Sequence, residues 1–295
     1  MDTSFQSPPQ TRAYAAWILV CIVWGTTYLA IRIALETVPP MLMAGLRWVA
    51  AGLILMVILV LRGERLPRRP HWLSLAVIGV LMTSFGNGAV VWAEQTVPSG
   101  VAALLIAAIP FWMVAVERMM PRPDPIRPRR IAGLLVGFTG VVLLVWPELA
   151  RPAGGSLLGV AATQLACAGW ALGSAYSRRR SADENVIASA SVQMLFGGLA
   201  LVLVGTVTGE WARLAFNPRT AGAVAYLVVA GSLGAFSAYL YALKHLPVAT
   251  VSLYAYVNPI IAVLLGSLVL GEPFSSRLVL AGGVVLVGTL LVRKG

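Results

Sequence analysis

Charge is scarce in this chain. Only 11% of its 295 residues are charged, against 59% hydrophobic, where a soluble domain carries about 25% charged residues. Too little polar material is present to clothe a water-facing surface, so the chain reads as lipid-embedded. Histidine and cysteine are scarcer still, with two of each. His71 and His245 fall in connections between apolar runs, and Cys21 and Cys167 have neither metal-ligand spacing nor a place in a loop where an oxidising compartment would pair them. Small apolar packing is the role left for the cysteines, and no metal or other cofactor is expected. The 11 acidic residues avoid the middle of the apolar runs: Glu36, Glu94, Glu117, Glu148, Glu210 and Glu272 all stand at or beyond run ends. A membrane-embedded enzyme would need paired carboxylates, a histidine or a Cys–His pair at depth. That distant reading finds no support, and neither does an obvious proton relay, which carriers build from a buried acid or histidine.

What the sequence has in quantity is apolar length. A helix needs about 20 apolar residues to cross about 30 Å of hydrocarbon, and ten such runs are present, from Tyr14–Leu35 to Leu278–Val292. They are continuous and lack the alternation of a barrel strand, so helices are predicted. The run after the polar stretch Met1–Thr11 is too long for a removed signal peptide and reads as the first span. The formal charge of +11 is distributed unevenly. Arg62, Arg65, Arg68 and Arg69 follow the second run, Arg118, Arg122, Arg127, Arg129 and Arg130 the fourth, and Arg178, Arg179 and Arg180 the sixth. The alternate connections hold only Arg151, Arg213, Arg219 and Arg277. The positive-inside rule then places both termini in the cytoplasm and makes the charge a matter of topology, with the lipid bilayer and not nucleic acid as the partner.

The runs are duplicated. At a constant offset of 149, Ala93, Pro98, Leu104, Pro110, Ala132, Gly133 and Val136 fall on Ala242, Pro247, Leu253, Pro259, Ala281, Gly282 and Val285; at 146, Cys21 and Trp24 fall on Cys167 and Trp170. Residues 14–147 and 157–293 form two five-span copies, and an odd span count forces the second to cross in the opposite sense. The expectation is an all-α integral membrane protein: one transporter domain over 1–295, ten transmembrane helices as two inverted five-helix repeats, N-in and C-in. A monomer suffices for this architecture. Gly133 and Gly137 make a G-x-x-x-G, read as internal packing in preference to a dimer face.

Pro110 and Pro259 lie mid-span at equivalent positions. Each removes a helical hydrogen bond and bends its helix, and paired interruptions at the junction of inverted halves point to a transport site. Polar and aromatic residues near these hinges share helical faces. Trp24, Thr27 and Tyr28 do so in span one, Thr83 and Asn87 in span three, and Gln164 and Trp170 in span six. Ser237 stands in span eight, and Tyr254 and Asn258 in span nine. Rings supply apolar area and stacking faces, and amides and hydroxyls fix a polar end, the mix that small-molecule sites use. Interhelical hydrogen bonding is the competing role for each residue taken singly. Arg47, two turns into span two, is expected to snorkel to the outer surface, ahead of meeting a substrate carboxylate or Glu36.

The stretch from Lys244 to Gly295 resembles the second repeat of the EamA family in the drug/metabolite transporter superfamily: Leu246–Pro247, mid-span Pro259, the Gly271–Glu272 pair and a glycine-rich last helix. Trp24–Gly25–Thr26 and Leu46–Arg47–Trp48 look like the matching segments of the first repeat. The resemblance implies a ten-span inner-membrane carrier that moves metabolites or toxic compounds, often outward. Exporters of amino acids, including aromatic ones, are the nearest implied function, and a multidrug exporter of lipophilic organic cations is the alternative. The chain departs from the pattern at Pro123 and Asp124, where the first half lacks a Gly-Glu pair, and at Asn258, a pre-proline position that is acidic in a number of relatives.

Overall fold

A computed structural model describes residues 9–119, 128–149, 155–180, 185–272 and 274–294. Among these the secondary structure is helical, with no strand. Pro123, Asp124, Arg122, Arg127 and Arg151 lie outside the described residues. The helices are α1 (Pro9–Ala34), α2 (Pro40–Leu61), α3 (Arg69–Ala93), α4 (Ser99–Arg118), α5 (Pro128–Leu149), α6 (Gly155–Arg180), α7 (Val186–Val207), α8 (Pro218–His245), α9 (Tyr254–Leu270) and α10 (Ser276–Lys294). A single turn, Val248–Val251, precedes α9. Among the described residues seven helices are long and apolar enough to cross a membrane, and shorter apolar stretches occupy α5, α9 and α10.

The surface is inverted relative to a soluble protein. Ile18 and Ile22 of α1, Val57 and Leu61 of α2, Leu135 and Phe138 of α5, Leu203 of α7 and Leu268 of α9 are exposed, while Thr27, Arg47, Thr83, Ser174, Gln193, Ser232 and Asn258 are buried. So much contiguous exposed apolar surface is what lipid, and not water, tolerates. Between helices the contacts are made through small residues, because lipid gives apolar side chains no drive to associate. A Cβ on Gly52 of α2 would come within 2.8 Å of the Leu195 backbone nitrogen of α7, and one on Gly288 of α10 within 2.2 Å of Gly137 of α5. The most extensive pairings are α2 with α7 and α5 with α10; α1 packs on α8 and α9, α6 on α3 and α4, and α4 on α9. Gly137 also faces Phe111 of α4, at 2.0 Å for an added Cβ, so the G-x-x-x-G face is spent on internal packing.

Two features of the backbone position the interior. Within α3, Val80–Gly88 is a π-helix, and within α8, Leu227–Phe236 is another. At the 149-residue offset these stretches overlap, so the same wide turn recurs at that spacing along the chain. Such turns are rare and concentrate at functional sites.

The second feature is a left-handed glycine followed by glutamate, found after α2 (Gly63–Glu64), α7 and α9, and at the last two the glutamate caps a helix. Gly209 (φ 71°) and Gly271 (φ 64°) take the left-handed conformation after α7 and α9, which glycine adopts without the Cβ penalty. The chain turns back there, and the following glutamate caps another helix. Glu210 accepts from the Leu42 backbone N–H of α2 at 2.8 Å. Glu272 accepts from the backbone N–H groups of Ser99 and Gly100 of α4 at 2.9 and 3.2 Å, and from the Ser99 hydroxyl at 2.9 Å. Each carboxylate satisfies orphan donors at the positive end of its helix.

The prolines interrupt differently. The helix of α4 breaks at Ala107–Ala108 and resumes with Pro110 in its first turn, whereas the break before α9 falls at Ser252–Leu253 and Pro259 lies inside the resumed helix.

Candidate functional site

Where the π-segments, the break in α4 and the start of α9 converge, the helices enclose a central cavity. Four residues of α1 face it at helical spacing: Trp24, Thr27, Tyr28 and Ile31. From α2 come Arg47 and Trp48, from α3 Gly86, Asn87 and Val90, from α4 Ile106 and Ile109, from α6 Ala166 and Trp170, and from α9 Tyr254 and Asn258. Its volume is about 60 Å³ in this conformation, room for a few waters. A metabolite enters only when the surrounding helices part.

Hydrogen bonds hold the lining side chains. The Trp24 indole N–H donates to the Gly231 carbonyl at 3.0 Å, so the π-segment of α8 anchors a ring of α1. The Trp48 indole donates to Asn87 Oδ1 at 3.0 Å and orients that amide. Thr27 gives its hydroxyl proton to the Trp24 carbonyl. With donors matched to acceptors, the Asn258 amide nitrogen donates to the carbonyls of Cys21 (2.9 Å) and Tyr254 (3.0 Å), tying α9 to α1.

Four rings pack at one end of the cavity. Trp24 lies 5.3 Å from Trp170, 5.2 Å from Tyr239 and 5.0 Å from Tyr254, centroid to centroid. Tyr239 accepts the Trp170 indole N–H at 3.0 Å and pairs with the Ser174 hydroxyl at 2.9 Å. One turn farther along α6 and α8, Ser177, Leu240 and Leu243 line a second cavity of about 230 Å³ with Ser189 and Gln193 of α7. Tyr239 and Ser174 therefore lie between two open spaces.

Arg47 corrects an expectation. Its side chain does not snorkel outward: the residue is 1% exposed and turned inward, with Nε donating to Ser232 Oγ at 2.8 Å and the guanidinium carbon 4.7 Å from the Trp48 ring centroid. The π-segment of α8 supplies that serine, and the absence of a side chain at Gly231 leaves the space that Nη2 fills. Burying a guanidinium is costly unless it is paired, yet among the described residues Nη1 has no acceptor. Glu94, just past the end of α3, is the buried acid of this region. It is 0% exposed and neither carboxylate oxygen has a partner among the described residues, while its backbone carbonyl accepts from Arg32.

Of the residues singled out from the sequence, Trp24, Thr27, Tyr28, Asn87, Trp170, Tyr254 and Asn258 line the cavity together. Three others are not among its lining residues. Thr83 donates to the Gly79 carbonyl of its own helix, Gln164 accepts from Trp112 at 3.1 Å, and Ser237 is half-buried with no partner for its hydroxyl among the described residues. Pro110 is buried in the first turn after the break of α4, and Pro259 follows Asn258 directly. Sequence reasoning missed Arg47 and Trp48 as lining residues and Tyr239 as the hub of the ring cluster.

This arrangement of broken helices around a central polar and aromatic cavity is that of a carrier. Residues 11–146 match the model of the EamA-like transporter family, and residues 157–294 match it a second time. The chain belongs to the EamA-like transporter family. It is 36% identical over 287 residues to the uncharacterized inner membrane transporter YedA of Escherichia coli K12, an alignment covering 96% of this chain and 90% of that one. Protein PecM of Dickeya dadantii is 28% identical over 274 residues, covering 92% of this chain and 88% of that one. A solved crystal structure at 23% identity superposes with a TM-score of 0.71 over 95% of this chain and 96% of its own, which shows the fold to be a known one. As an EamA-like transporter, the protein is a multi-pass membrane protein.

Proposed function

We propose that this transporter exports small metabolites from the bacterial cytoplasm, with amino acids, including aromatic ones, first among them. It works by alternating access and without obligatory coupling to protons. The observation that carries the reading is the central cavity, where indole and phenol rings and two amides from both halves of the chain meet. Rings supply apolar area, and the amides and hydroxyls fix a polar end.

The twofold match to one family model and the overlapping π-segments support two inverted five-helix halves that rock about the cavity. The arginine asymmetry places both termini in the cytoplasm, and the name of the YedA relative supports the inner membrane. In that orientation the second cavity opens toward the cytoplasm and the Glu210 and Glu272 caps lie at the outer face. The ring cluster at Tyr239 is then the inner gate. Uncoupled transport follows from a cavity whose lining contains no carboxylate, because a driving proton and the substrate then have no common titrating site.

Lipophilic cations, the rival cargo, suit the rings but not a lining whose one charged side chain is cationic. The test is counterflow in proteoliposomes with pH and voltage gradients collapsed, using a panel of amino acids and organic cations. Exchange of amino acids supports the reading; exchange of cations alone, or accumulation only under a proton gradient, overturns it.

A further inference from the structure

We infer that Arg47 is the anchor for a carboxylate on the transported molecule, and that the protein selects its cargo by that group. The inference deepens the exporter reading and rests on the central cavity being the transport site.

Three observations lead to it. First, Arg47 lines the cavity while only 1% exposed, so its charge is held away from water at the place a cargo must occupy. Second, the side chain is fixed from two sides while one of its terminal nitrogens, itself buried, is left unpaired. Nε is held by Ser232 at 2.8 Å and the plane is stacked near Trp48 at 4.7 Å, while Nη1 has no acceptor among the described residues. A guanidinium presents its donors as a rigid fork that matches a carboxylate bidentately, and fixing the fork beforehand removes the ordering cost on binding. Third, among the described residues no carboxylate is paired with Arg47 Nη1. Glu94, the buried acid of this region, has no hydrogen-bond partner for either carboxylate oxygen among the described residues. The other lining side chains are neutral. An unpaired buried cation is costly to keep, and a cargo carboxylate that pairs it recovers that cost in each transport cycle.

The rest of the lining fits a molecule with a carboxylate at one end. Asn87 accepts from the indole of Trp48, the ring over which the Arg47 guanidinium lies, and both line the cavity. The rings of Trp24, Trp170 and Tyr254 lie beyond, where a side chain or an ammonium group meets π-faces. The amino group is therefore secondary and the carboxylate primary. α-Keto acids and simple aryl carboxylates should be recognised alongside amino acids, and amides and esters should not.

Tryptophans at the cavity give the readout. Binding is measured by intrinsic fluorescence on the purified full-length protein with L-phenylalanine, 3-phenylpropionate, phenylalaninamide and tetraphenylphosphonium as probes. In the wild type, phenylalaninamide should bind at least about 30-fold more weakly than phenylalanine, equivalent to about 2 kcal/mol. Arg47→Gln should abolish that difference, Arg47→Lys should keep part of it, and Glu94→Gln should leave it intact. Equal binding of acid and amide by the wild type overturns the inference without recourse to any variant, so a folding defect in Arg47→Gln cannot mask the outcome. Persistence of the preference in Arg47→Gln, or failure of every carboxylate to bind, also overturns it. Binding of 3-phenylpropionate without phenylalanine sinks the amino-acid reading and keeps the anchor; binding of tetraphenylphosphonium alone sinks both.

Discussion

Glu272 reaches across from the end of α9 to hold Ser99, accepting both its backbone N–H and its hydroxyl at 2.9 Å. The contact joins the second half of the chain to the first at the face opposite the ring cluster. Glu272→Ala should strip two backbone donors and a hydroxyl of their acceptor, at a cost of about 1–3 kcal/mol for the buried groups left unpaired. Lower thermal stability in detergent is the expected result, with Glu272→Gln intermediate because its amide oxygen still accepts. If α4 must separate from α9 at each outward opening, the alanine variant should also accelerate counterflow per folded molecule.

Tyr239 provides a second test, at the other end of the cavity. Its hydroxyl is shared by Trp170 and Ser174, and its ring lies between Trp24 and Tyr254 at 5.2 and 5.7 Å. Tyr239→Phe keeps the ring and leaves the Trp170 N–H without its acceptor, so stability should fall by about 1–3 kcal/mol. Tyr239→Ala removes the partition itself. A thiol-reactive probe added from the cytoplasmic side should then reach a cysteine introduced at Asn87 faster than in the parent, which accessibility labelling measures directly.

The sequence showed the helices because length and apolar continuity are local properties that lipid imposes on each segment independently. Seven cavity residues were legible for a related reason: Trp24, Thr27 and Tyr28, or Tyr254 and Asn258, share a face under a plain 3.6-residue period. Tyr239 escaped because Leu227–Phe236 is a π-helix, whose wider turn rotates every later residue relative to that period. Arg47 escaped because a lone arginine near a helix end is usually satisfied by reaching for the interface. Only the tertiary approach of Ser232 and the bare backbone at Gly231 make an inward course possible. The Gly271–Glu272 pair was visible as a motif, but that its carboxylate caps α4 depends on a contact 173 residues distant in sequence.

The α5–α10 seam discriminates internal packing from self-association. A side chain at Gly288 has no room, since its Cβ alone would come within 2.2 Å of the Gly137 nitrogen. Gly288→Leu should therefore force the helices apart and destabilise the monomer by about 1–3 kcal/mol or more. Its elution volume in detergent should not move. A shift from dimer to monomer without loss of stability would instead place the glycine face at a subunit boundary.

Glu94 offers the sharpest check on uncoupled transport. It is wholly buried, and burial pushes its carboxyl well above the usual carboxylate range; Glu272 adds to the rise, while Arg32 and Arg47 oppose it. The sign of the linked stability follows. With the folded value raised, the unfolded chain releases this proton first as pH climbs. Stability linked to Glu94 is then fully present below the ordinary carboxylate range and lost progressively as pH rises toward the folded value. Glu94→Gln, which resembles the protonated acid and cannot ionise, should flatten this part of the stability profile across pH values above the ordinary carboxylate range, read as thermal unfolding in detergent. Because Glu94 lies outside the cavity lining, the same variant should retain counterflow at all these pH values. Loss of a proton-driven component in Glu94→Gln, with counterflow preserved, would mean that this buried acid carries a coupling proton and that transport is not a simple facilitated exchange.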